Sequence, residues 1–155
     1  MIRPLDLDDE DTVAALVELQ RASYAVEAEL IGAASLPPMR DTPETLRASG
    51  ETFLGMHREQ RLLGIVSYKR DGATVDIHRL AVHPSAFRRG VARELLDALD
   101  AREAGAAHWT VGTGAGNLPA RTLYARRGFA VTQERVVPGG IRWVRMDRLL
   151  DSPPS

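Results

Sequence analysis

Apolar residues recur at helical spacing in three parts of this chain. In the first, Val13, Leu16 and Val17 share one face of a predicted helix. An acidic run precedes them at Asp8–Asp11, where negative charge suits a helix N-terminus. We expect this helix to end near Tyr24, because the residues that follow lose the periodicity. They also contain a glycine and two prolines, which indicate a loop or a broken helix over residues 25–41.

Other segments have strand character, and polar turns separate them. Thr42 followed by Pro43 predicts a further short helix after the first one. The order of elements is then β-α-α-β-β-β-α-β-α-β-β, which predicts an α/β fold with a mixed sheet and helices on its faces. The predicted strands are residues 1–5, 52–57, 62–69, 74–82, 108–112, 131–137 and 141–149.

The segment from Asn117 to Gly128 predicts a short helix with definite ends. Asn117 can accept a hydrogen bond from the amides of the first turn, and Gly128 can adopt the left-handed conformation that ends a helix. Ala120, Leu123 and Tyr124 fall on one face. A phenol on this apolar stripe must find a polar partner. By itself, the segment favours a core tyrosine hydrogen bonded to a carbonyl group.

A second junction joins the strand at residues 74–82 to a helix marked by Ala92, Leu95 and Leu99. Small residues at the start of that helix let its amides approach a ligand, and the helix dipole favours an anion there. Three arginines add positive charge at the same point. The residues expected at this anion site are Arg88, Arg89, Gly90, Val91, Ala92 and Arg93.

Taken together, the two junctions resemble the GNAT superfamily of acyl-CoA-dependent N-acetyltransferases. The resemblance rests on a strand, an R-x-G-x-A turn and a helix, followed about two dozen residues later by N-x-x-A-x-x-L-Y-x-x-x-G-F. These motifs lie within residues 76–129, and the resemblance covers roughly residues 1–149 as one domain, with a tail at residues 150–155. It implies a mixed, mostly antiparallel sheet with helices on both faces.

The resemblance also implies a cofactor and a site. In that family the R-x-G-x-A turn binds the pyrophosphate of coenzyme A, so acetyl-CoA is the implied co-substrate. Asn117 matches an asparagine that faces the pantetheine arm, and Tyr124 matches a tyrosine that protonates the departing thiolate. A main-chain amide at Leu80 or Val82 would polarise the thioester carbonyl. One position departs from the family, because its loop usually begins with Gln or Arg where this chain has Phe87.

Two residues are candidates for the base that deprotonates the amine. Asp76 stands where many family members place a glutamate, but an aspartate would need a bridging water. His78 is the other, because imidazole titrates near neutral pH. Strict alternation divides this strand between two faces, with Asp76, His78, Leu80 and Val82 on one and Ile77, Arg79 and Ala81 on the other.

The implied acceptor is a primary amine of a small molecule or a peptide. Such folds recognise the acceptor through the first two helices and the last hairpin. Tyr24, Glu27 and Glu29 are therefore candidate acceptor contacts, although any one of them could belong to a solvated acidic loop. A homodimer is left open.

Composition narrows the classes of function. The chain has 155 residues, of which 44% are hydrophobic and 26% charged, as in an ordinary globular domain. It has no cysteine, which excludes disulfides, thiolate metal sites and a cysteine acyl-enzyme, so direct attack by the acceptor is the simpler route. His57, His83 and His108 lack metal-ligand spacing, so we expect no metal.

Charge is distributed unevenly. Residues 1–60 carry 12 acidic and 5 basic residues, whereas residues 61–155 carry 9 acidic and 15 basic residues. The basic part suits a nucleotide cofactor and the acidic part a cationic acceptor. Only 5% of residues are aromatic and no nucleic-acid motif is present, so nucleic-acid binding is not expected. No apolar run has membrane-spanning length, and we expect a cytoplasmic protein.

The sequence is compatible with two alternatives, one for the glycine run and one for the activity. The run Gly112–Gly116 resembles a dinucleotide fingerprint, but its third glycine position is Asn117, so we interpret the run as a flexible path into the next helix. The other alternative is a CoA-binding regulatory module without catalysis. Phe87 and the unassigned base favour that alternative, whereas Asn117 and Tyr124 favour an enzyme.

Overall fold

A computed structural model describes residues 1–150 of the chain. Four α-helices are present in this range, together with short 3₁₀ helices at Pro37–Arg40 and Pro84–Ala86. The α-helices are α1 (Glu10–Ile31), α2 (Pro43–Ala48), α3 (Val91–Arg102) and α4 (Leu118–Arg126). The strands are β1 (Ile2–Pro4), β2 (Thr52–Arg58), β3 (Arg61–Asp71), β4 (Thr74–Val82), β5 (His108–Gly114), β6 (Ala130–Val137) and β7 (Ile141–Leu149). The tail predicted at residues 150–155 lies, apart from Leu150, outside the described residues.

The strands form one sheet in the order β1-β2-β3-β4-β5-β7-β6. Neighbouring strands are antiparallel except β4 and β5, which run parallel because α3 crosses over between them. Buried residues form two clusters, one on each face of this sheet. One cluster contains Leu95 and Leu99 of α3 with Tyr124 of α4, and the other contains Leu16 of α1 with Leu46 of α2. The predicted mixed sheet with helices on both faces is confirmed.

Helix α1 is longer than the sequence pattern indicated. It continues for about two turns past Tyr24 to Ile31, and Ala28 extends the buried face of the helix. The residues in this extension are good helix formers, which sustain the helix without strong amphipathicity. Gly32 ends it in the left-handed conformation, with φ of 75°, and its amide donates to Ala28 and Glu29. The expected end near Tyr24 was therefore wrong, and Glu27 and Glu29 lie on a helix.

Strand β4 contains a bulge that breaks the expected alternation. Ser67 of β3 pairs with Arg79, whereas the next residue, Tyr68, pairs with Ile77, so His78 is the extra residue. After the bulge the faces exchange. Ile77 is therefore in the same buried cluster against which Leu80 packs, and the predicted division of β4 into two faces was wrong beyond His78.

The glycines of residues 112–114 belong to β5 and are not a flexible path. A Cβ atom at Gly112 would lie 2.6 Å from Nε1 of Trp143, and a Cβ atom at Gly114 would lie 2.7 Å from Cγ2 of Ile31. These two glycines are needed because neighbouring side chains lie directly against the β5 backbone. They let Trp143 of β7 and the last turn of α1 approach the sheet.

Candidate active site

Strands β4 and β5 separate in the middle of the sheet. Their parallel pairing covers only four residue pairs, from Thr74 with His108 to Ile77 with Val111. Beyond that point the bulge at His78 turns β4 away. A cavity of about 620 Å³ lies at this opening, and residues from both faces of the sheet contribute to it. Tyr24 and Glu27 reach it from α1, and Ala120 and Tyr124 reach it from α4.

Tyr124 is buried, with 3% of its surface exposed, and its ring packs edge-on against Phe129 at 5.6 Å between centroids. The phenol nevertheless lines the cavity. Within residues 1–150 the structure gives its hydroxyl no hydrogen-bond partner, so the alternative of a core tyrosine bonded to a carbonyl does not hold. Burial raises the pKa of Tyr124, and the nearby Glu27 carboxylate raises it further. The phenol therefore stays protonated at neutral pH and can donate.

Asn117 has two functions in the local structure. Its Oδ1 accepts a hydrogen bond from the amide of Ala120 at 3.2 Å, which caps α4 as predicted. Its Nδ2 donates to Oε1 of Glu27 at 2.9 Å, so α1 and α4 are joined across the opening. Thr113 of β5 makes a longer contact with the same oxygen, at 3.4 Å.

The acceptor candidates on α1 separate into two groups. Tyr24 and Glu27 line the cavity, whereas Glu29 is exposed and is not part of its wall. Burial raises the pKa of Tyr24, as does the Glu27 carboxylate beside it. Burial also raises the pKa of Glu27, although hydrogen bonds from Asn117 and Thr113 offset part of this effect. Glu27 therefore lies close to both phenols of the site.

The two base candidates lie side by side but in different environments. Nε2 of His78 is 3.1 Å from Oδ2 of Asp76, and Thr110 donates to the other carboxylate oxygen at 2.7 Å. His78 lines the main cavity. Asp76 lines a smaller, adjoining cavity of about 240 Å³, which Arg145 and Trp143 also border. Only His78 therefore faces the space that Tyr124 faces.

The main-chain amides expected to contact the cofactor are covered by α1. The amide of Val82 donates to Oγ of Ser23 at 3.2 Å, and the phenol of Tyr24 lies next to the backbone of Leu80. A ligand that uses these amides must replace the side chains of α1. Sequence periodicity gave no indication of this competition, because the contact between Ser23 and Val82 joins residues 59 positions apart.

The predicted anion site is at the N-terminus of α3. Gly90 is the N-cap, with φ of 76°, and no side chain caps the helix, so the first-turn amides are open to a ligand. Arg88 also has a left-handed φ, 63°. Val91 is buried, so it can contribute only its amide. The side chains of Arg88, Arg89 and Arg93 are exposed and form no ion pair within residues 1–150.

Several residues of the cavity wall were missed by the sequence analysis. Trp143 lies between the two cavities, held against Gly112. Arg79 forms ion pairs with Glu51, at 3.0 Å, and with Asp41.

The 3₁₀ helix at Pro37–Arg40 covers one side of the cavity. Buried Gln20, which donates to the carbonyl of Pro38 at 3.0 Å, fixes its position. Cross-sheet packing of this kind leaves no short-range signal in the sequence.

The fold and the opening between β4 and β5 define the class to which the protein belongs. A family model described as an acetyltransferase (GNAT) domain matches residues 22–150. The chain belongs to this GNAT acetyltransferase family, as its motifs predicted. It is also 34% identical over 114 residues to UPF0157 protein YqkA of Bacillus subtilis. This match covers 74% of the chain but only 33% of that protein, so the chain spans about a third of this relative.

Solved structures of the same fold are similar over nearly the whole chain. The PaiA N-acetyltransferase of Thermoplasma acidophilum, in complex with coenzyme A, has a TM-score of 0.76 at 19% identity, covering 96% of this chain and 98% of that one. The ribosomal-protein-S18-alanine N-acetyltransferase of Escherichia coli has a TM-score of 0.80 at 16% identity, covering 99% of this chain and 96% of that one. YncA of Salmonella typhimurium, with acetyl-CoA, has a TM-score of 0.69 at 23% identity, covering 100% of this chain and 96% of that one.

Two further findings concern metals and membranes. Across residues 1–150, histidine, aspartate and glutamate side chains do not gather in any group of three that could hold a metal ion. Of the helices in the same range, none is both long and apolar enough to cross a membrane.

Proposed function

We propose that the protein transfers an acetyl group from acetyl-CoA directly to a primary amine of a small molecule or peptide. The observation that carries this proposal is the phenol of Tyr124, which is protonated, without a hydrogen-bond partner in the described chain, and directed at the opening between β4 and β5. Family membership supports acetyl transfer, and similar structures hold coenzyme A or acetyl-CoA.

The cofactor would bind along the separated strands. Its pyrophosphate would sit on the open amides of α3, from Val91 to Arg93, close to Arg88 and Arg89. Its pantetheine arm would run past Asn117. The thioester carbonyl would accept a hydrogen bond from the amide of Leu80 or Val82, and at Val82 it would replace Ser23.

An acceptor that arrives as an ammonium group loses one proton from nitrogen before the attack and a second after it, and the sulfur gains one proton. The amine nitrogen attacks the thioester carbon, the carbon–sulfur bond breaks, and Tyr124 gives its proton to the departing sulfur. We assign removal of the first nitrogen proton, which frees the lone pair for the attack, to His78, because it faces the cavity, with Asp76 3.1 Å behind it to stabilise the imidazolium. A cytoplasmic location and a homodimer stay predictions from the sequence.

The test measures cofactor binding and turnover separately. Calorimetry with CoA is expected to show binding, and acetyl-CoA is expected to release free thiol only when an amine is present. Binding without thiol release from any amine would instead favour a CoA-binding regulatory module. Failure to bind CoA at millimolar concentration would contradict both functions.

The base assignment has its own test. His78→Gln is expected to lower kcat and to remove the acidic limb of the pH–rate profile, whereas Asp76→Asn should lower kcat less and shift that limb. If both variants keep the wild-type pH profile, the amine proton leaves through solvent or another group.

A further inference from the structure

Few charged side chains line the main cavity, and they differ in whether a neighbouring opposite charge neutralises them. Arg79 is neutralised by Glu51 and Asp41, which hold its guanidinium at the back of the wall. Glu27 is the only carboxylate among the described residues that line this cavity. Any positive group that enters the cavity therefore meets one free negative charge.

Glu27 is half-buried and forms no ion pair within residues 1–150. Its Oε1 accepts from Asn117 at 2.9 Å, and from Thr113 at 3.4 Å, and both of these donors are neutral. A partly buried carboxylate without a cation is unfavourable, and a ligand cation would relieve this. Because Asn117 joins Glu27 to α4, the carboxylate is fixed in position next to Tyr24 and Tyr124.

The rest of the cavity suits an acceptor molecule whose remaining part is apolar and carries no second positive charge. Most of its outer wall is hydrophobic or aromatic, formed by Leu36, Pro37, Pro38, Val137, Ile141 and Trp143. Arg40 also lines this wall. Its Nη1 donates to Oγ of Ser35 at 2.6 Å, and its guanidinium forms no ion pair within the described residues. A second positive charge on the acceptor would therefore be repelled rather than bound.

We propose that the acceptor is a primary monoamine with a compact apolar body, and that Glu27 receives its ammonium group. This inference rests on the proposed acetyl transfer and specifies its substrate class. Polyamines and aminoglycosides carry several ammonium groups and need several carboxylates, which this cavity does not supply. Two enzymes of similar fold are aminoglycoside 6′-acetyltransferases, so the proposal separates this chain from a known activity of its fold.

The first test compares acceptors by the release of free thiol from acetyl-CoA. The monoamines are 2-phenylethylamine, tryptamine and isoamylamine, and the polycations are spermidine and kanamycin. We expect kcat/KM to be at least about tenfold higher for the monoamines, since a second positive charge next to Arg40 costs no less than that factor. A preference for spermidine or kanamycin would overturn the substrate class but leave the acetyltransferase intact. If no amine supports release, the proposed function itself fails.

The second test uses an isosteric change at the carboxylate. Glu27→Gln keeps the acceptor for Asn117 but removes the charge, so we expect KM for a monoamine to rise about 10- to 100-fold, the usual effect of losing a charged hydrogen bond. The affinity for CoA should not change, and Glu27→Asp should restore part of the amine binding. Glu18→Gln, an exposed glutamate on the same helix, is the control and should keep the wild-type KM. An unchanged KM in Glu27→Gln would overturn the proposal.

Discussion

At the scale of single residues, the site depends on two polar side chains that line the cavity and lack a partner which a ligand could supply. Tyr124 has no hydrogen-bond partner within the described chain, and Glu27 has no cation. A ligand with a sulfur near the phenol and an ammonium near the carboxylate would satisfy both.

Tyr124→Phe tests the phenol. The ring and its edge contact with Phe129 are kept and no internal hydrogen bond is lost, so the free energy of unfolding should change by less than about 1 kcal/mol. Loss of a general acid typically lowers the rate by about 10²- to 10⁴-fold, and we expect at least a tenfold fall in kcat, allowing for donation by water. Urea unfolding, CoA calorimetry and steady-state kinetics measure these quantities. Unfolding of the variant with normal specific activity in its folded fraction would assign the phenol a structural role.

Glu27→Gln should make the folded chain more stable at neutral pH. Burial raises the pKa of Glu27 above its reference value of 4.5, so the folded state binds the proton more tightly than the unfolded state. The wild type therefore loses stability relative to the variant as pH rises from 4.5 through the raised pKa, and the difference vanishes below 4.5. Urea titrations of both proteins across this range give the measurement. A variant less stable than the wild type at pH 7 would mean that the charge stabilises the fold.

Residues whose function follows from local structure could be predicted from the sequence. Asn117 caps α4 and Tyr124 faces inward because both positions follow from helix geometry alone. The prediction of the β4 face on which Leu80 lies was wrong, because the extra residue His78 exchanges the two faces of the strand. A bulge of this kind carries no reliable signal in a single sequence. Trp143 was missed because only packing against Gly112 brings it into the site.

At the scale of elements, the length of α1 and its fit against β5 decide where Glu27, the proposed acceptor residue, lies. Periodicity located the start of α1 but not its end, since the extension presents a weak apolar face. The strands of the central hairpins were predicted to within two residues, because alternation and turn residues are local signals. The approach of α1 to the sheet depends on contacts distant in sequence.

Gly114→Ala tests this fit. The added Cβ atom would lie 2.7 Å from Cγ2 of Ile31, so the last turn of α1 must move away from β5. We expect the free energy of unfolding to fall by about 1 to 3 kcal/mol. KM for the amine should rise, because Glu27 lies one turn before Ile31. Denaturant unfolding and steady-state kinetics measure the two effects.

Gly116→Ala is the matched control for this change. It lies just beyond β5, and its Cβ atom would have no neighbour closer than 3.7 Å, an ordinary contact. Stability and KM should therefore stay close to the wild-type values. Equal effects from both alanines would show that the packing of Ile31 does not position α1.

At the scale of the whole molecule, two cores lie on opposite faces of one sheet, and the cavity connects them. The α1 side contributes the proposed acceptor residues, and the α3 and α4 side contributes the proposed anion site and the phenol. A cofactor that occupies the opening would contact both sides, and binding to the folded state alone stabilises the whole chain. At a CoA concentration 100 times the dissociation constant, the gain is about 2.7 kcal/mol.

This linkage gives a prediction for the melting temperature. For a chain of this size, such a gain corresponds to a rise of about 5 to 10 °C with CoA. Gly90→Val should remove most of this rise, because a branched side chain disfavours the left-handed conformation from which α3 begins and blocks approach to its amides. Thermal unfolding of wild type and variant, each with and without CoA, measures the effect.

Backbone strain alone could also lower the melting temperature, so the comparison needs a second glycine. Gly72, in the turn between β3 and β4, has φ of 60° and open space around its Cβ position. Gly72→Val therefore introduces similar strain away from the N-terminus of α3, and it should melt lower than the wild type while keeping the full rise with CoA. The cofactor assignment thus depends on the difference between the two variants. If Gly90→Val keeps the rise as well, CoA does not bind at the N-terminus of α3.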